Sequence, residues 1–208
     1  VLSLGFDCQA QYQIRRYMRS IGSDGQVGLG SPTTVFSWQV TPIEGLLLYL
    51  RRDFAGLFER DDLYVGPYGI TNRLADTLHL HEFPAQSAEG LAAHYAVARE
   101  RHDRLCARTR QLIADDEPTL LVFDSGMTPL EGGKAAELRE RLQHYNPNKA
   151  LGLLCTTSVR DPGRDWRGDG RAWCKALATQ LRPPNLLAQA AWLLRRPTQA
   201  GRGELSPS

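Results

Sequence analysis

Residues 118 to 155 constrain the fold more than any other stretch. Pro118-Thr119-Leu120-Leu121-Val122-Phe123-Asp124 is a continuous apolar run closed by an acid, followed by a turn over Ser125-Gly126-Met127-Thr128-Pro129. Leu130 to His144 then reads as a helix, and Ala150-Leu151-Gly152-Leu153-Leu154-Cys155 is a second apolar run. Two strands apolar on both faces, separated by one helix, predict a βαβ unit with a parallel pair. Functional groups in such sheets lie beyond the carboxyl ends of the strands. That rule singles out Asp124 and the edge Cys155-Thr156-Thr157-Ser158.

The same rule applies at the start of the chain. Val1, Leu2, Leu4 and Phe6 read as a short buried strand, and Ala10, Ile14, Tyr17 and Met18 then recur at helical spacing. Asp7 suits the N-cap, which puts Cys8 in the first helical turn. Unpaired N–H groups and the positive end of the helix dipole there favour a thiolate, a geometry suited to a nucleophilic cysteine. A small residue that merely fits a tight strand–helix junction satisfies the pattern equally. The expected fold is a three-layer α/β arrangement with a short, mainly parallel sheet and Cys8 at a strand–helix junction.

Between these anchors, residues 22–34 read as a Gly/Ser/Thr-rich loop, and Val35 to Gln39 as an apolar segment packed under the core. Thr41-Pro42-Ile43-Glu44 has the form of a helix start with Thr41 as N-cap, leading into Leu46 to Leu50. Asp61 to Val65 reads as a short strand. In residues 71–83, Thr77, His79, His81 and Phe83 share one phase, so a strand would place both histidines on one face, about 7 Å apart. A long helix is expected over 86–115, with His94 and His102 at or near its surface. Residues 160–174 read as a polar loop holding Trp166 and Trp173, and Asn185 as the cap of a last helix to Arg196. Residues 1–196 make one domain, with 197–208 a disordered tail.

Composition enters mainly by exclusion. A formal charge of +2 over 208 residues does not describe a nucleic-acid-binding or anionic-membrane-binding surface, and no apolar segment has the length of a membrane span. Cys8, Cys106, Cys155 and Cys174 form no CxxC and no dense framework, which fits a reducing, cytoplasmic setting. Cys106 and Cys155 read as small core residues. The chain starts without Met and shows no signal peptide, as a piece of a longer protein would.

The N-terminal stretch resembles a known family. Ser3, Leu4, Gly5, Cys8, Gln9, Ile14, Arg15 and Arg16 are similar to the opening of bacterial proteins catalogued as papain-like cysteine peptidases, a domain of unknown function. A second block, Thr34-Val35-Phe36-Ser37-Trp38-Gln39-Val40-Thr41-Pro42, is similar to the family's S-P-F-D-W-x-x-T-P, with Ser37 where the family has Asp. A third, His81-Glu82-Phe83, is similar to H-D-F. The resemblance covers roughly residues 1 to 125. It implies a Cys–His pair on Cys8 and His81, with an antiparallel α+β papain-like fold as the alternative to the parallel reading.

The chemistry expected of that pair is thiol-dependent acyl transfer, as hydrolase, peptidase or acyltransferase. His81 takes the thiol proton and the thiolate attacks an acyl carbon. Helix-start N–H groups, with Gln9 or Ser3, would serve as the oxyanion hole. Asp124 is the candidate to orient the imidazole, and Ser37 and Trp38 are candidates for the substrate side. The substrate would be a small-molecule, glycan or peptide acyl group. No cofactor is required, although Arg164, Arg167 and Arg171 could hold a phosphate-bearing donor such as a coenzyme A thioester; a solvated loop explains the same arginines. Two other readings remain open. One is a metal site using His79 and His81 with Cys8 or Asp124, and the other a non-enzymatic interaction module in which Cys8 is structural.

Overall fold

A computed structural model describes residues 1–5, 8–21, 31–126, 129–157 and 166–181. In chain order the elements are β1 (Leu2–Ser3), α1 (Cys8–Ser20), α2 (Ile43–Arg51), β2 (Leu63–Gly66), β3 (Gly69–Asn72), β4 (Thr77–Leu78), α3 (Ala88–Ala114), β5 (Thr119–Asp124), α4 (Gly132–Tyr145), β6 (Leu151–Thr156) and α5 (Gly170–Gln180). The Asp7 cap, Met127, Thr128, Ser158, Arg164, the helix after Asn185 and the tail lie outside the described residues, as do positions 22–30 of the expected loop.

The structure is mixed α/β. The expected βαβ unit is present: β5 and β6 pair in parallel with Leu121 opposite Leu153 and Asp124 opposite Thr156. β1 joins on the other side, giving the parallel order β1-β5-β6. Because successive strand residues face opposite ways, β5 feeds two cores. Leu121 and Phe123 pack with α2 and α4 residues Leu46, Leu47, Leu50, Leu138 and Leu142. Leu120 and Val122 pack with Ala10, Ile14, Tyr17 and Met18 of α1 and with Trp173 and Leu177 of α5. The apolar stripe read on α1 is therefore the face that meets the sheet.

A second sheet, β2-β3-β4, is antiparallel, and here the reading of residues 71–83 is corrected. Asn72 ends β3 because its Oδ1 accepts the N–H groups of Leu74 and Ala75, at 2.8 and 3.0 Å, in an Asx turn. Asp76 completes the turn at φ 48°. β4 stops at Leu78. His79 and His81 are therefore not strand neighbours on one face.

Three smaller expectations also change. α2 begins at Ile43 with Pro42 in the cap position, and Thr41 instead accepts a bond from the Gln39 amide. Trp173 is not in a loop but buried within α5. His102 is buried, not superficial: it falls on the inner stripe of α3 with Leu91, Ala98, Cys106, Thr109 and Ile113. Cys106 is buried as expected, whereas Cys155 is half-buried on β6.

The second sheet joins the rest of the fold through the segment before α2 and through α3, whose residues enter both cores. Val40 and Leu78 exchange backbone hydrogen bonds of 3.0 and 2.9 Å. α2 also crosses the β3–β4 turn so closely that a Cβ on Gly45 would lie 2.2 Å from the Ala75 carbonyl oxygen. Among the described residues no helix is long and apolar enough to cross a membrane.

Candidate active site

Cys8 is the first residue of α1, just past the carboxyl end of β1. His81 comes from the turn after β4, in the other sheet. Cys8 Sγ and His81 Nε2 lie 3.3 Å apart, within the reach expected of a thiol–imidazole hydrogen bond. Cys8 is half-buried and His81 exposed, so the pair is open to solvent and to a ligand.

The His81 turn is held by side chains rather than by a ladder. The Gln86 amide nitrogen donates to the carbonyls of His79, Leu80 and Phe83 at 3.0, 3.3 and 3.5 Å, while Gln86 Oε1 accepts the Ile70 N–H at 2.7 Å. Trp38 packs edge-on against the His81 ring, with centroids 5.9 Å apart. The Arg15 guanidinium lies over the same Trp38 ring at 5.2 Å. Sequence reading named Trp38. It missed Gln86, whose spacing five residues from His81 carries no recognisable signal.

Glu82 accepts the His81 backbone N–H at 3.2 Å and lies 3.8 Å from Nδ1 of His79. Burial pushes the Glu82 carboxyl up to about 7. His79 itself is fully buried, with Phe58 edge-on at 4.8 Å, and neither ring nitrogen has a hydrogen-bond partner among the described residues. Burial, with a smaller contribution from His102, holds its pKa well below the usual imidazole range. His102 accepts or donates at 2.9 Å with the Tyr49 hydroxyl and stacks on Phe58 at 4.4 Å; burial lowers it to about 4. Both histidines are neutral core groups behind the site.

The remaining candidates divide by place. Asp124 lies at the carboxyl edge as expected, its N–H bonded to the Gly5 carbonyl at 2.9 Å and its Oδ1 accepting the Gly126 N–H at 3.0 Å. Ser125 N–H reaches the Thr156 carbonyl at 2.8 Å, which ties the ends of β5 and β6 together. Ser3 is buried, its Oγ facing the Gly5 N–H at 3.5 Å. Ser37 is buried too: it accepts the Thr34 N–H and donates to Gln11 Oε1 at 3.1 Å. Gln9 is buried between the Trp166 carbonyl, to which it donates at 2.8 Å, and Trp173 Nε1, from which it accepts at 3.2 Å. The structure thus gathers Cys8, His81 and Trp38 at one place, while the side chains of Ser3, Gln9 and Ser37 are engaged in the interior.

Among the described residues, no group of three or more His, Cys, Asp or Glu side chains is placed to hold a metal ion. Comparisons with family models, with curated proteins and with solved structures find no match.

Proposed function

We propose that this chain is a thiol-dependent acyl-transfer enzyme in which Cys8 is the nucleophile and His81 its acid–base partner. The observation that carries the reading is the 3.3 Å contact between Cys8 Sγ and His81 Nε2, made across 73 residues of sequence at a helix start. The positive end of the helix dipole stabilises a thiolate there, and an adjacent imidazolium adds to that stabilisation.

The cycle balances with an acyl donor and a second nucleophile, water or an acceptor. The Cys8 thiolate adds to a carbonyl carbon, and backbone N–H groups at the start of α1 stabilise the oxyanion. The C–X bond breaks as His81 gives its proton to the departing amine, alcohol or thiol, leaving a thioester on Cys8. Water or an acceptor nucleophile then gives its proton to His81, attacks the thioester and releases the thiolate. The resemblance to papain-like cysteine peptidases supports the same pair. Hydrolysis and transfer differ only in the second nucleophile, so a peptide, glycan or small-molecule acyl substrate, including a coenzyme A thioester, fits this chemistry.

The test is the pH dependence of Cys8 alkylation, read by peptide mass spectrometry in the wild type and in His81→Ala. Rapid reaction well below pH 8.5, the ordinary thiol pKa being about that value, and its loss in His81→Ala, is the expected result. Slow, ordinary thiol behaviour in both proteins would leave Cys8 a structural residue and favour an interaction module.

A further inference from the structure

The interior behind His81 carries a polar side chain that packing alone does not require. His79 is fully buried between Phe58 and the His102 ring, whose centroid lies 6.3 Å away, and both its ring nitrogens lack a hydrogen-bond partner among the described residues. Unpaired polar atoms in an interior are costly, and each one in a native fold asks for an explanation. An apolar side chain would fill the same space without that cost.

The explanation lies in one oxygen atom. Glu82 Oε2 accepts the His81 backbone N–H at 3.2 Å, and the same atom lies 3.8 Å from His79 Nδ1. The two neighbours differ in kind: a backbone N–H can only donate, whereas a nitrogen of a neutral imidazole can accept. An ionised Glu82 holds the His81 N–H in a charge-assisted bond, the stronger kind. A protonated Glu82 has a hydrogen to give, and Nδ1 of His79 is the acceptor beside it. At 3.8 Å that second bond is not made, so the structure shows the arrangement in which His81 is held. The peptide leading into His81 is then fixed at both ends, since the Gln86 amide donates to its Leu80 carbonyl at 3.3 Å.

The groups around the carboxyl leave both protonation states within reach. His79 faces it from the same turn with His102 behind, Arg101 from α3 and Tyr49 from α2. His102 in turn faces Asp103 and Arg99. Burial outweighs the backbone N–H bonds and the exposed Arg101, and pushes the Glu82 carboxyl up to about 7. Burial also keeps His79 neutral, which leaves a ring nitrogen able to accept.

We infer that Glu82 is a positioning residue for His81 with two settings: ionised, it pins the His81 backbone and so holds the imidazole against Cys8, and protonated, it turns to His79 and lets the His81 turn loosen. The proton exchanged on Glu82 comes from and returns to solvent, and no other bond is made or broken covalently. The inference rests on Cys8 and His81 being the reacting pair, and the measurements below separate the two claims.

Cys8 alkylation by iodoacetamide, a neutral reagent, is measured from pH 5 to 8 in wild type, Glu82→Gln, His81→Ala and the double variant. The ratio of the wild-type rate to the Glu82→Gln rate separates Glu82 from the titration of Cys8 itself. It should stand near one at the acid end and rise about fivefold at the other, as an ionised acceptor replaces a neutral one. Taken between His81→Ala and the double variant, the same ratio should stay near one throughout. A second readout needs no substitution at Glu82: in wild type labelled with nitrogen-15 histidine, the His79 Nδ1 resonance should move over the pH interval in which the ratio rises. A ratio near one at every pH, or a rise that persists without His81, overturns the positioning role even where the thiol is fast and His81-dependent. A stationary His79 resonance overturns the exchange between settings. A slow thiol indifferent to His81→Ala instead sinks the catalytic reading, and the inference with it.

Discussion

Glu82 is the residue whose environment most directly turns into a measurable property. Its carboxyl is buried beside a neutral His79, under the backbone of His81, and Arg101 only partly offsets the cost of ionising it. The folded chain therefore holds its proton up to about pH 7, against an ordinary value of 4.5. Between those limits the native state binds the proton more tightly than the unfolded chain, so stability falls as pH rises, by on the order of 3 kcal/mol. His79 and His102 act in the opposite sense over an overlapping range: both are buried neutral, so stability is lost as pH falls from the ordinary imidazole value of about 6.5, where the unfolded histidines charge, towards their lowered native values. Glu82→Gln keeps an acceptor for the His81 N–H and removes only the titration. Urea unfolding across pH 5 to 8 should show the wild type losing stability relative to this variant. Parallel curves would refute the assignment.

At the scale of elements, the turn that carries His81 hangs on one side chain. Gly69, at φ 134°, leaves room for the Gln86 carboxamide, since a Cβ there would meet Gln86 Oε1 at 2.6 Å. Gln86→Ala removes the acceptor of the Ile70 N–H together with the three carbonyl contacts, for a cost of about 1–3 kcal/mol. Faster hydrogen exchange at Ile70 and a weakened His81 dependence of Cys8 alkylation are the expected results; an unchanged Ile70 rate would mean that water replaces the clamp. This turn also shows what the sequence could not disclose. The βαβ unit was legible because continuous apolar runs and an intervening helix are local signals, and the α1 stripe was legible for the same reason. The alternation of Thr77, His79 and His81 looks equally local, but Asn72 and Gln86 override it with side-chain bonds. His102 was legible in principle, lying four residues from both Ala98 and Cys106 on the buried stripe of α3. Of the site, Cys8, His81 and Trp38 were named, whereas the supports beneath them come from tertiary contacts with no periodic trace.

The whole molecule carries one parallel and one antiparallel sheet, with Cys8 following a strand of the first and His81 a strand of the second. Gly45 marks a close approach, where helix α2 passes over the Ala75 carbonyl in the turn between β3 and β4. Gly45→Ala should lower stability by about 3 kcal/mol, as overpacking against backbone does, and should slow Cys8 alkylation more than it slows reaction at Cys174. A neutral effect on thermal unfolding would show that this contact can yield. The sequence separation of the pair also has a consequence in time. Cys8 is synthesised 73 residues before His81, and β5, the strand beside β1, is made later still. Contacts between distant parts of a chain form late, after the entropy of closing the intervening loop has been overcome. A nascent chain therefore carries an unpartnered thiol until the second sheet docks, and whatever reactivity the imidazole confers is withheld until the fold is complete.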